Sequence, residues 1–203
     1  MRASLYPRSS VDAERQHGIV LVMALIFLLL LTLLASGALG QAMLQQRMAG
    51  AQRSARQATL AAESALRGAQ WRLWRGAAGG ALDCGAAPIA DCYVFDPAQS
   101  NAMVRAFRRQ GGWVTEGATE YRGTDGNRDF TTLTGSGLDA RTRRTAVLAK
   151  HPVYVIEDLG PVEPSPAGSA ARRPHAYRIT ARATGGHANI VRVVESTIIA
   201  GGD

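Results

Sequence analysis

The chain has 203 residues, 46% of them hydrophobic, with 23 basic against 16 acidic side chains and a formal charge of +7. One lysine stands against 22 arginines, a bias that reflects a GC-rich coding background more than a binding code. Beyond the long helix described next, 127 residues remain from Ala77, enough for one small domain with a core and too few for two.

Thirteen consecutive apolar residues run from Ile19 to Leu31, Thr32, Leu33, Leu34 and Ala35 extend them, and no charge falls between Gly18 and Arg47. A helix satisfies its own backbone, and about 20 apolar residues match the hydrocarbon thickness, so this stretch is predicted to cross a bilayer. Past it, Leu44, Met48, Ala51, Ala55, Ala58, Ala62, Ala65, Ala69 and Leu73 recur at spacings of three and four, one face of one helix. No proline interrupts residues 19–75, which predicts a single helix of 57 residues, on the order of 85 Å long at a rise of about 1.5 Å per residue. Its first half would lie in the membrane and its second would press a narrow alanine stripe against something folded. Arg2, Arg8 and Arg15, against Asp12 and Glu14, leave a positive excess before the span, which favours a cytoplasmic N-terminus and an exported remainder. A cleavable secretory signal ending at Ala35-Ser36-Gly37-Ala38 is the rival reading, and the helical pattern running straight through that site argues against it.

Gly76-Ala77-Ala78-Gly79-Gly80 stops the helix. Cys84 and Cys92, the only cysteines, have seven residues between them, and in an oxidising periplasm they are expected to join and close a small loop; two free or separately buried thiols are the alternative. Asp96-Pro97 is predicted to open a short helix, with Asp96 as N-cap and Met103, Val104 and Phe107 on one side, broken by Gly111-Gly112. Trp113-Val114-Thr115 and Tyr121 suggest short strands, and residues 122–150 suggest mostly loop. Val153 to Glu157 predicts a strand, followed by a proline-rich linker from Pro161 to Pro174. Tyr177, Ile179 and Ala181 then alternate with Arg178, Thr180 and Arg182, Thr184-Gly185-Gly186-His187 supplies a turn, and Ile190 to Ile199 returns as a strand. The sum is an antiparallel sheet of at least three strands with the alanine stripe packed across one face.

Several of these segments resemble the type IV pilin family. Gly18 directly before Ile19-Val20-Leu21-Val22-Met23, after a short basic leader, resembles a class III prepilin signal. The resemblance implies that the prepilin peptidase cuts after Gly18 on the cytoplasmic side and that Ile19 becomes the methylated N-terminus. Gln45-Gln46-Arg47-Met48-Ala49-Gly50 is similar to the E-E-R-M-A-G segment of PilX minor pilins, and Ala61-Ala62-Glu63-Ser64-Ala65-Leu66-Arg67 to their A-A-E-A-A-L-R. Tyr177 to Ala183 with Gly185-Gly186 is similar to their closing hairpin, whereas residues 76–145 match nothing and Gln45-Gln46 replaces paired glutamates.

That resemblance implies an α+β pilin fold, a long helix on a small antiparallel sheet. It divides the chain into a leader at 1–18, a helix at 19–75 and a periplasmic domain at 76–203. It implies a minor pilin that primes assembly or caps the tip of the pilus, supporting biogenesis, twitching motility and adhesion, with no cofactor. The partners implied are other minor pilins, the major pilin, the prepilin peptidase, the inner-membrane assembly platform and a PilY-type tip adhesin. The protein would sit in the inner membrane first and at the pilus tip or in the fibre afterwards. A tip pseudopilin of type II secretion would share the leader, and a periplasmic enzyme on an uncleaved anchor is a third class.

Most type IV pilins carry a glutamate at the fifth mature position, occupied here by Met23. There the carboxylate pairs with the neighbouring subunit's terminal amine, and without a neighbour above it an unpaired charge in hydrocarbon would cost several kcal/mol. Methionine therefore suits an end position; the alternative is that Met23 is one more lipid-facing residue.

Residues 1–18 hold three Arg and two acids, a net of +1, so the mature chain would carry +6. The densest basic groups, Arg105, Arg108, Arg109 and Arg141, Arg143, Arg144, have little aromatic interleaving, which favours a solvated basic face over nucleic-acid or anionic-surface binding. No G-x-S-x-G elbow, H-E-x-x-H helix, phosphate loop or Cys/His metal spacing occurs, and His151, His175 and His187 stand apart beside prolines or a turn. Asp125, Asn127 and Asp129 have the spacing that opens a calcium loop, but Phe130 takes its glycine position and Ser136 its glutamate position, so an ordinary turn is the favoured reading.

Overall fold

A computed structural model describes residues 17–77, 84, 92–99, 101–109, 111–162 and 174–201. The chain divides into two units between Ala49 and Gly50. Helix α1 (His17–Ala77) runs through 61 residues without a break, close to the span that the absence of proline predicts. In the first unit no described side chain is buried, and Ile19, Leu28 and Leu34 are 67%, 62% and 71% exposed. Its hydroxyls are satisfied within the helix: Thr32 Oγ1 donates to Leu29 O and Ser36 Oγ to Leu33 O, each at 2.8 Å. This segment is long and apolar enough to cross a membrane.

The second unit is α+β. Strands β1 (Cys92–Val94), β2 (Thr119–Glu120), β3 (Val153–Pro161), β4 (His175–Thr184) and β5 (Val191–Ala200) form one sheet in the order β1-β3-β4-β5, with β2 also on β3. β3, β4 and β5 are antiparallel neighbours, Val155 opposite Thr180 and Thr180 opposite Glu195. These three give the antiparallel sheet expected; β1 runs parallel to β3, Cys92 opposite Ile156, so the whole sheet is mixed. Parallel pairing needs a long crossover, and the helix Ala102–Arg109 (α2) and β2 lie in the stretch between β1 and β3.

One face of the sheet receives α1. Ala65, Ala69 and Leu73 pack with Tyr154, Ile156, Tyr177, Ile179 and Ala181, and Ala61 and Ala62 continue the contact to Ala183 and Leu148. Methyl side chains let the helix come close, and at two points even a methyl is too large. A Cβ on Gly185 would strike the backbone of Ser54, and one on Gly68 would strike the Tyr121 ring. The buried stripe begins at Ser54 and Ala58; its predicted N-terminal members Leu44, Met48 and Ala51 are exposed.

The opposite face is covered by α2 (Ala102–Arg109), whose Val104 and Phe107 pack on Val153 and Val155. Consequently Arg178, Thr180 and Arg182, which alternate with the apolar residues of β4, are covered: Thr180 and Arg182 are fully buried and Arg178 largely so.

Four local expectations need correction. The Asp96 carboxylate accepts from Ala98 N (2.7 Å) and closes a turn, while Asn101 caps α2 through Met103 N (2.9 Å), so the helix starts at Ala102 and not at Pro97. Trp113 and Val114 form no strand; they are partly buried against the α2 cluster, and the short strand falls at Thr119–Glu120, just before Tyr121. The stretch 122–150 contains a helix, α3 (Ala140–Ala146), started by Asp139 accepting from Arg141 N and Thr142 N. β3 continues through Pro161, and most of the proline-rich linker, like Gly79 and Gly80, lies outside the described residues.

Candidate functional site

The positions singled out by the leader pattern lie on the exposed first unit of α1. Ile19 and Met23 are 67% and 56% exposed, and a side chain at Gly18 would meet nothing within 4 Å. From Gly18 to Gln46 there is no ionisable side chain, so the surface this segment offers is apolar.

In the second unit the polar chemistry is concentrated on the α2 face of the sheet. Register places Glu157 opposite Arg178, and the guanidinium grips the carboxylate through Nε and Nη2 at 2.7 and 2.9 Å. From α2, Arg108 makes a second fork to Glu195 at 2.7 and 3.0 Å and approaches Glu157 at 3.8 Å. Thr180 Oγ1 donates to the same Glu195 at 3.1 Å. Burial pushes the Glu195 carboxyl up, but the Arg108 donors, Thr180 and the Arg178 charge outweigh it and hold the group below its ordinary range. Arg182 donates to Phe107 O and Gly112 O, closing the end of α2, with its guanidinium over the Phe107 ring at 5.2 Å. These groups neutralise or cap one another, which accounts for Arg108 and Glu195 as parts of the scaffold.

The histidines are not as isolated as their sequence neighbours suggest. His175 Nδ1 meets both Asp158 oxygens at 2.9 and 3.0 Å, beside the bulge where Asp158 also accepts from Gly160 N. His151 lies 3.5 Å from Glu120 and 3.4 Å from Asp129. Sequence spacing gave no signal of these pairs, because sheet register and loop packing create them.

Asp129 is committed to its own turn. It accepts from Thr131 Oγ1 (2.6 Å), Thr131 N (2.8 Å) and Thr132 N (3.2 Å), and these donors, the Thr131 hydroxyl first, hold its carboxyl well below the usual carboxylate range. Asp125 takes a hydrogen bond from Thr124 at 3.2 Å. Asp125, Asn127 and Asp129 share the border of one shallow cavity with Arg128, and among the described residues no group of three His, Cys, Asp or Glu side chains is arranged to hold a metal. The donor set fits an Asx turn better than a cation site.

Cys84 and Cys92 are joined, with Cα atoms 5.5 Å apart, and Cys84 is buried in the core beside Leu73 and Tyr154. The bridge ties the chain that follows α1 to the first strand. Alkylation of the unreduced protein is expected to label neither sulfur, and Cys84→Ser to cost about 2 to 4 kcal/mol in unfolding; quantitative labelling of both thiols would contradict this.

A long apolar helix that continues into an alanine-faced half seated on a small sheet is a pilin-like architecture. Residues 17–67 match the PilX N-terminal family and residues 75–200 match the C-terminal region of type IV pilus assembly protein PilX. The chain belongs to the PilX family of type IV pilus assembly proteins. No curated protein and no solved structure matches it. Its role is in pilus assembly, among the other components of the pilus.

Proposed function

We infer that the chain is a minor pilin that primes assembly or occupies the tip of the type IV pilus, and through it supports twitching motility and adhesion. Before assembly it spans the inner membrane once, with a cytoplasmic N-terminus and the domain after the helix in the periplasm. Residues 1–18 are the leader, removed by the prepilin peptidase between Gly18 and Ile19, and Ile19 is methylated. Its partners are the other minor pilins, the major pilin, the assembly platform and a PilY-type tip adhesin, and it acts through its helix, without chemistry of its own. The PilX matches favour a pilus over a type II secretion system.

The observation that carries the reading is Met23, on a segment with no acidic residue between Gly18 and Arg47. A subunit with nothing above it gains by lacking a carboxylate there, because in hydrocarbon that charge would be left without a partner. Met23→Glu is therefore expected to reduce surface pili toward the level of a deletion strain. Pili counted by electron microscopy test it: a deletion strain with normal pili removes the priming role, and a fully functional Met23→Glu removes the tip position.

A further inference from the structure

We propose that the outward face of α1 between Arg56 and Arg75, opposite the alanine stripe, docks an acidic surface of a different pilus subunit. The proposal rests on the assembly role and specifies one partner in it. Arg56, Leu60, Arg67, Trp71, Trp74 and Arg75 follow one another at spacings of four, seven, four, three and one, which at about 3.6 residues per turn gathers them on one side of the helix. All six are exposed, Leu60, Trp71 and Trp74 by 65%, 44% and 62%.

The charge of this face is one-sided. Its nearest acid, Glu63, lies 3.9 Å from Arg67, while Arg56 and Arg75 have no acidic partner among the described residues. Arg75 rests over the Trp71 ring at 5.0 Å, holding a cation at the surface beside an aromatic plane. Tryptophan and arginine together are the side chains that dominate binding energy at protein interfaces. Next to Trp71 a cavity of about 350 Å³ opens between Leu60, Arg67, Gly68, Tyr121 and Thr124, a socket for a partner's side chain.

Other occupants fit less well. A second copy would bring arginines against arginines, a juxtaposition that costs rather than stabilises. Nucleic acid calls for a uniformly basic track, yet Glu63 borders this cavity and Glu120 the adjoining cleft beside Trp71. A protein surface rich in Asp and Glu, with an apolar group to enter the socket, satisfies both the arginines and the tryptophans.

The test uses the full chain in piliating cells whose own copy is deleted. Arg67→Glu with Arg75→Glu is expected to lower surface pili at least about tenfold, the effect of losing about 1.4 kcal/mol of association, with chain level and processing unchanged. Arg67→Lys with Arg75→Lys is expected to keep them. A photocrosslinking side chain at position 74 is expected to join a different pilus subunit at a peptide carrying Asp or Glu, identified by mass spectrometry. Normal piliation of the deletion strain would overturn the assembly role and this proposal with it. If that strain lacks pili, the proposal alone is overturned by a fully piliated charge reversal, or by an adduct to a second copy, to nucleic acid or to a peptide without acids, or by no adduct at all.

Discussion

Gly18→Glu is expected to leave the protein as a full-length precursor and to abolish its incorporation into pili. A peptidase that cuts after this position must accommodate its side chain at the scission point, and hydrogen is replaced there by a charged carboxylate. The substitution has the advantage of being silent elsewhere. A side chain at Gly18 meets nothing within 4 Å, so the helix and the domain after Gly50 are left intact. Gly18→Ala, which adds a single methyl, is expected to be processed in part. Immunoblots of whole cells separate precursor from mature chain by the mass of 18 residues; unchanged processing of Gly18→Glu would contradict the proposed cleavage site.

The second large effect is expected at Arg182, the largest fully buried side chain among the described residues. Arg182→Ala removes the donors to Phe107 O and Gly112 O together with the plane stacked on Phe107. It leaves the buried Phe107 carbonyl unpaired, takes a donor from the Gly112 carbonyl nearer the surface, and opens a hole where the stem had been, the buried carbonyl and the hole each costing about 1 to 3 kcal/mol or more. A total of about 3 to 5 kcal/mol is expected, which in a domain of about 150 residues lowers the melting temperature by roughly 2 to 4 °C per kcal/mol. Because Arg182 holds α2 and not α1, membrane insertion of the helix should persist. Thermal unfolding of the detergent-solubilised chain by circular dichroism checks it, and a melting temperature within a degree of the wild type would contradict the capping role.

The helix was legible because its signals are redundant: an uncharged apolar run, a three-four spacing of alanines and no proline over the same residues. β3 and β5 were legible as Val/Ile-rich segments, and β4 by the alternation of Tyr177, Ile179 and Ala181 with polar residues between Pro174 and Gly185. What failed lacked a local signal. α3 has no buried residue, so no apolar period marks it, and only Asp139 as a cap announces it. β1 owes its place to the bridge at Cys92 and to the edge of β3, neither of which three residues can encode. The burial of Arg178 and Arg182 was not legible because strand alternation gives a side and not what covers it; Val104 and Phe107, an apolar pair on a short helix with nothing assigned to them, were the available hint that a second layer lies over that side. Most of the expected leader lies outside the described residues and Met23 is one exposed apolar position among many, so only the resemblance to the pilin family brought them forward.

The central claim is that this chain reaches the pilus as a processed subunit, and mass spectrometry of its N-terminus in a sheared pilus fraction tests it most directly. The expected result is a mature chain that begins at a methylated Ile19 and is present in that fraction; an intact leader on a protein confined to the membrane fraction would contradict it.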